Sequence, residues 1–262
     1  MAAKVNEPLS VRVIEEIAKR FGIRRLSHSS LELLRNEPAL WTMRYLFKVY
    51  EGTNAAMERG KAVEHGCYLA HPNVGSEFDH PIDEAVREFN KATALGVNGE
   101  ARDRERENVA PMVQQYIDLF DGKLPELDGF QRRIEIEIPG CPIPLMGYTD
   151  FDFEDVIVDL KTTTRLPSAI SSAHRRQGAI YSRASGNRGV DVIYVTPKKS
   201  ARYRLDDTTQ EWAEICGTAH ALFRFLSNFE NREEVAAVLA PNYDHFFWSS
   251  TLREKAREVF GY

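Results

Sequence analysis

Residues 146–165, MGYTDFDFEDVIVDLKTTTR, set acidic side chains and a lysine into strand-like sequence, and this constrains the fold more than any other feature. Two β-prone runs flank Glu154 and Asp155, which predicts a hairpin turning on those two residues. Side chains alternate along a strand, and directly opposed residues share a face. One face then carries Phe151, Phe153, Val156, Val158 and Leu160, an apolar surface for a core. The other carries Tyr148, Asp150, Asp152, Ile157, Asp159 and Lys161, with Asp150 opposite Asp159. Like charges directly opposed weaken a strand pair. A hard divalent cation between them turns repulsion into coordination. An edge hairpin with one solvated face is the other reading of the same alternation.

The neighbouring sequence supplies the rest of a sheet. FQRRIEIEIPG alternates with period 2, placing Ile134, Ile136 and Ile138 on one face and Arg133, Glu135 and Glu137 on the other. VDVIYVT and ARYRL predict two more strands, and SAISSAHRRQGAIYSRAS predicts a helix ahead of them. Helical spacing governs the chain upstream. LSVRVIEEIAKRFG stops at Gly22. SSLELLRNEPALWTMRYLFKVY opens with Ser29 three residues before Glu32, a capping-box spacing, and breaks at Pro38. NAAMERGKAVEHGCYLA, IDEAVREFNKATA and RENVAPMVQQYIDLF follow. Beyond residue 207 the helical pattern returns in TTQEWAEICGTAHALFRFL, REEVAAVLA and TLREKAREVF. The expectation is an α/β fold read as one domain over residues 1–262. Its parts are a helical portion (1–125), a β-β-β-α-β core (126–205) and a helical tail (206–262).

Composition narrows the function. Hydrophobic residues at 43% and charged ones at 28% suit a globular protein rather than a disordered one. A net charge of -5 argues against a surface that grips nucleic acid all over, but a local basic channel remains compatible with it. His174, Arg175, Arg176, Arg183, Arg188, Lys198, Lys199, Arg202 and Arg204 form such a basic stretch, a candidate phosphate-binding side. Cys67, Cys141 and Cys216 lack the spacing of a zinc knuckle or disulfide framework. The opening MAAKVNEPLS has no apolar signal core and no run reaches membrane-spanning length. A cytoplasmic protein that avoids the membrane is expected.

GYTD, with DLKT beginning nine residues after Asp150, resembles the G-x-x-D … D-x-K signature of PD-(D/E)XK nucleases, in particular the RecB-like exonuclease branch. QGAIY is similar to that branch's Q-x-x-x-Y helix and supplies Gln177 and Tyr181. RGKAVEHG resembles its upstream histidine helix and supplies His65. SHSSLELLRNEPALWTMRY is similar to its entry segment. The motifs span residues 27–181 in the family's order. Some members add four cysteines for an iron–sulfur cluster, and the three scattered cysteines here cannot make that set, so no such cluster is expected. No phosphate-loop motif is present, so a helicase motor would be a separate protein.

The resemblance implies a restriction-endonuclease-like core, a central mixed sheet flanked by helices with helical N- and C-terminal additions. It also implies a deoxyribonuclease using Mg²⁺ or Mn²⁺ on linear DNA ends, with a single-strand-annealing or recombination protein as a compatible partner, in a bacterial or phage-infected cell. On it, Asp150 and Asp159 hold the metal together with the Leu160 carbonyl, Lys161 serves the attacking water and the phosphate, and a second metal leans on His65. Gln177, Tyr181, Arg175 and Arg176 face DNA. Glu135 and Glu137, sharing one strand face, are further candidates for water-mediated metal contact. Two rival readings stay open: a catalytically silent DNA-end-binding or scaffold protein, and a restriction-type endonuclease.

Overall fold

The computed structural model describes residues 8–74, 80–97, 99–245 and 247–261. The first seven residues, part of the stretch read as lacking a signal core, lie outside the described residues. The chain begins with α1 (Val11–Arg20), α2 (His28–Asn36), α3 (Pro38–Tyr45), α4 (Ala55–Leu69), α5 (Pro81–Ala92) and α6 (Glu100–Asp118). Next come β1 (Gly129–Phe130), β2 (Arg133–Ile138), β3 (Cys141–Tyr148), β4 (Phe151–Asp152) and β5 (Val156–Thr162). Then follow α7 (Ser172–Ala184), β6 (Gly189–Val195), β7 (Ser200–Leu205), α8 (Thr209–Leu226), α9 (Arg232–Ala237) and α10 (Ser250–Phe260).

Local chemistry sets many of these boundaries. Pro38, lacking an N–H, opens α3 at its first turn and splits it from α2. The capping box on α2 is built by Ser27 and Ser30, not by the Ser29–Glu32 pair that the spacing suggested. Asn54, Ser171 and Ser249 cap α4, α7 and α10 by accepting a backbone N–H at the third helical position.

Two compact units interleave along the sequence: residues 1–51, 135–147 and 209–262, and residues 52–134 and 148–208. The first holds most of the β2–β3 ladder, a two-stranded sheet. It also holds α1–α3 and α8–α10. The ladder's Pro139 carbonyl accepts from His220 Nε2 of α8 at 2.8 Å. Leu26 bridges to Leu145 on β3.

The second unit carries a five-stranded sheet in the order β1-β4-β5-β6-β7. Only β5 and β6 run parallel, joined through α7; the other neighbours are antiparallel, so the sheet is mixed. The hairpin register is the expected one: Phe151 pairs with Val158 and Asp152 with Ile157, leaving Glu154 and Asp155 at the turn. Phe151, Phe153, Val158 and Leu160 enter a core with Ala62, Val63 and Cys67 of α4, Phe89 of α5 and Met112, Val113 and Tyr116 of α6. The opposite face receives α7. There a Cβ on Gly178 would stand 2.6 Å from Leu205 Cδ2 and 3.4 Å from Val190 Cγ1, so glycine sets how closely the helix approaches. Ile157 is level with Val190, and Val190 with Leu205, across the sheet. Asp159 and Lys161, two and four residues along from Ile157, therefore share the face that α7 covers.

The α/β class and the mixed sheet flanked by helices are as expected. One strand is placed differently. IEIEI was expected beside the acidic hairpin in the core, but it pairs with β3 in the separate two-stranded sheet. Alternation marks a strand without naming its partner; here the partner is the next strand, reached across the Pro139–Gly140 turn with Gly140 at φ +72°.

Candidate active site

The site begins where a ladder stops. β4 pairs with β5 over two residues only, so the N–H of Leu160 lies beyond the paired residues. The Asp150 side chain meets it: Leu160 N donates to Asp150 Oδ2 at 2.8 Å. Across the hairpin, Asp159 is wholly buried at 0% exposure. Lys161 Nζ donates to Asp159 Oδ1 at 2.8 Å, while Asp159 Oδ2 has no hydrogen-bond partner. A buried acceptor left unmet costs about 1–3 kcal/mol, and more when charged.

The electrostatics agree. Burial, and then the charge of Asp159, push the Asp150 carboxyl well above the usual carboxylate range. Burial alone would lower the Lys161 ammonium, but Asp159 and Asp150 more than offset it and hold the group above its ordinary value. Tyr181 is pushed well up by burial and then by the same two carboxylates. It lies one turn after Gln177 on α7, whose Nε2 donates to its phenolic oxygen at 2.6 Å. That leaves the phenolic hydrogen for another acceptor.

The third carboxylate comes from α4. Glu64 is half-buried, and its carboxyl is raised by burial against the opposing pull of Gln131 and Lys161, with Asp159 adding to the rise. Its Oε1 accepts from Gln131 Nε2 at 2.9 Å. Arg59, buried on the same helix, donates to the Thr162 carbonyl at 3.4 Å and to its hydroxyl at 3.2 Å. An ion pair with Glu105 on α6 completes its setting. These bonds tie α4 to the end of β5, next to Lys161.

The model of the PD-(D/E)XK nuclease superfamily matches residues 25–262. The chain belongs to this superfamily. Membership implies a metal-dependent nuclease with DNA as substrate, and PD-(D/E)XK nucleases generally use divalent ions such as Mg²⁺. No curated protein matches the chain. A solved structure titled "Crystal structure of SSO0001" is 15% identical, covering 88% of this chain and 93% of that one, at a TM-score of 0.35.

The cluster around Asp159 fits a divalent cation of the kind this superfamily uses. Burial and Asp159 raise the pKa of both Asp150 and Glu64, and Lys161 offsets only part of that rise, so a divalent ion among these groups would relieve their repulsion. The unpartnered Asp159 oxygen is an acceptor of the hard type Mg²⁺ prefers. Among the described residues no three His, Cys, Asp or Glu side chains gather to enclose a metal by themselves. Mg²⁺ does not need such a cage, because it binds through one or two carboxylates and keeps several waters.

Of the residues singled out from the sequence, Asp150, Asp159, Leu160, Lys161, Gln177 and Tyr181 come together on the hairpin and α7. His65 sits beside Glu64 on α4, its ring tilted against Tyr68 with centroids 6.4 Å apart. Glu135 and Glu137 are exposed on β2, outside the five-stranded sheet that carries the rest. Arg176 is buried, and half-buried Arg175 donates to the Asp207 carbonyl at 3.4 Å.

Much of the expected basic side is committed internally. Arg202 and Arg204 on β7 both pair with buried Asp191 on β6, and Arg188 lies 3.8 Å from buried Asp152. Glu64 and Gln131 were missed. The sequence held a signal for the first, since Glu64 precedes His65 in the quoted helix. Neighbouring helical positions point about 100° apart, and sequence alone did not decide which of the two turns toward β5.

Proposed function

We propose that this chain is a Mg²⁺- or Mn²⁺-dependent deoxyribonuclease of the RecB-like branch, an exonuclease that works on DNA ends in recombination or repair. The observation that carries the chemistry is the Asp159 carboxylate, held by Lys161 through one oxygen, unpartnered at the other, and facing Asp150. Asp150 and Asp159 would hold the ion with the Leu160 carbonyl, and Glu64 and His65 would serve its water shell or a second ion. When bound, the ion activates water, neutralises charge on the phosphoryl oxygens and stabilises the leaving oxygen. Lys161 is kept protonated by its two carboxylate neighbours, so it acts as a cation and hydrogen-bond donor to the attacking water and the scissile phosphate. Gln177 and Tyr181, tied to each other on α7, donate to the phosphate beside it. A single-strand-annealing or recombination protein and a phage origin fit the resemblance that supports this branch.

The exonuclease reading makes a direct prediction. With Mg²⁺, end-labelled linear DNA is degraded to mononucleotides or short oligonucleotides, while a covalently closed circle survives. Nicking of the circle at a comparable rate refutes exonuclease action and leaves the metal chemistry standing. Lys161→Ala lowers the rate about 100- to 1,000-fold, the cost of losing one aligned charge-stabilising donor. Asp159→Ala does so while also weakening calorimetric metal binding. Full activity in Lys161→Ala removes the proposed mechanism, and DNA-end binding without any cleavage by the wild type points to a scaffold.

A further inference from the structure

We infer that Gln131 is a positioning residue that sets the Glu64 carboxylate and the Asp150 backbone relative to each other; the inference rests on the metal-site reading above. Gln131 lies between β1 and β2 and adopts φ +46°. That left-handed region costs an ordinary side chain about 1–3 kcal/mol and is tolerated where the surroundings impose it. Two hydrogen bonds are made from this conformation. The Gln131 backbone N–H donates to the Asp150 carbonyl at 3.0 Å. Its side-chain Nε2 donates to Glu64 Oε1 at 2.9 Å.

The neighbours of Gln131 fix it from both sides. Phe130 stacks on Tyr68 of α4, with centroids 4.0 Å apart and planes 12° apart. Tyr68 lies one helical turn beyond Glu64, so adjacent residues of one turn grip adjacent turns of one helix. On the other side, the Arg132 carbonyl accepts from Thr149 N at 3.0 Å, and the Arg132 guanidinium reaches Asp152 at 3.1 Å and the Asp128 carbonyl at 3.0 Å. The turn is a bracket between α4 and the strand end that bears Asp150.

The strain argues that the side chain is what matters. Glycine would make the same backbone bond to Asp150 without penalty, because φ near +46° is open to it. What glycine lacks is the amide that holds Glu64. A glutamine in this conformation therefore costs stability and gains one bond, to a carboxylate that interacts electrostatically with Asp159 and Lys161.

The test measures Mn²⁺ binding to metal-depleted protein by calorimetry, together with melting temperature and linear-DNA cleavage. Gln131→Gly keeps its melting temperature or gains, yet binds Mn²⁺ about 10- to 100-fold more weakly and cleaves correspondingly more slowly, the usual cost of losing an outer hydrogen bond to a metal site. Gln131→Glu keeps the shape and the strain and sets a second carboxylate against Glu64. It loses at least as much affinity, and it decides the matter even if the glycine variant folds poorly. Wild-type affinity in either folded variant overturns the positioning role while the nuclease reading stands. Absence of Mn²⁺ binding in the wild type overturns both.

Discussion

Buried aspartates on the central sheet meet different fates. Asp152 faces Arg132 and Arg188, and Asp191 faces Arg202 and Arg204. Among the described residues, Asp159 has Lys161 as its one ion-pair partner. Asp191 is gripped at both oxygens, and Asp152 Oδ1, although it makes no hydrogen bond, has the Arg188 guanidinium 3.8 Å away. The one ammonium on Asp159, by contrast, sits at Oδ1 and leaves Oδ2 as an acceptor to offer. The basic residues around positions 188–204 were legible in the sequence as charge, but their pairing with Asp152 and Asp191 depends on contacts that local pattern does not reveal. His71 is committed in the opposite sense. Its Nδ1 donates to the Pro125 carbonyl at 2.7 Å, and its Nε2 accepts from the Tyr116 hydroxyl, 3.0 Å away. Burial pushes it below its ordinary 6.5, and the Pro125 carbonyl offsets only part of that. The unfolded chain then binds a proton that the folded one resists. This contribution to stability is present above about pH 6.5 and is lost as pH falls through the lowered folded value. Other groups titrate nearby, so the comparison is with His71→Gln. The melting-temperature difference between wild type and variant should shrink from about pH 7 to about pH 5, and a constant gap refutes the account.

At the scale of elements, glycine decides how close the helices come. The face alternation of the hairpin was readable because its two strands are adjacent in sequence, and Phe151–Val158 pairing followed from the turn. The seat of α7 was not readable, because Leu205 and Val190 reach Gly178 only once β6 and β7 have paired. Gly178→Ala forces a methyl into contact with Leu205 at 2.6 Å. Overpacking of this kind costs about 1–3 kcal/mol. It also shifts Gln177 and Tyr181 away from the carboxylates, so cleavage should fall further than the lost stability explains. Gly217 of α8 is the control, since a Cβ there meets nothing within 4 Å. Gly217→Ala should stabilise by about 0.5–1 kcal/mol through helix propensity alone. Denaturant midpoints measured beside cleavage rates separate the two effects, and equal behaviour of both variants sinks the packing argument.

For the whole molecule the division into two compact units determines how metal binding appears in stability. Glu64, Gln131, Asp150, Asp159, Lys161, Gln177 and Tyr181 all fall within residues 52–134 and 148–208. Without a cation this unit holds carboxylates that raise one another's pKa, with Lys161 as their shared counter-charge. An ion that binds only the folded form adds stability of RT ln(1 + [L]/Kd), about 2.7 kcal/mol at a hundredfold excess over Kd. For chains near this size each kcal/mol moves the melting temperature by about 2–4 °C, so saturating Mg²⁺ should raise it by about 5–10 °C. Asp159→Asn removes one charge of the imbalance and should melt higher than wild type in chelator, yet gain little from Mg²⁺. Where calorimetry resolves two transitions, only that of the unit carrying the site moves with the ion. A Mg²⁺ shift of the same size in Asp159→Asn, or in the transition of the other unit, would place the cation elsewhere and remove the hairpin from the chemistry.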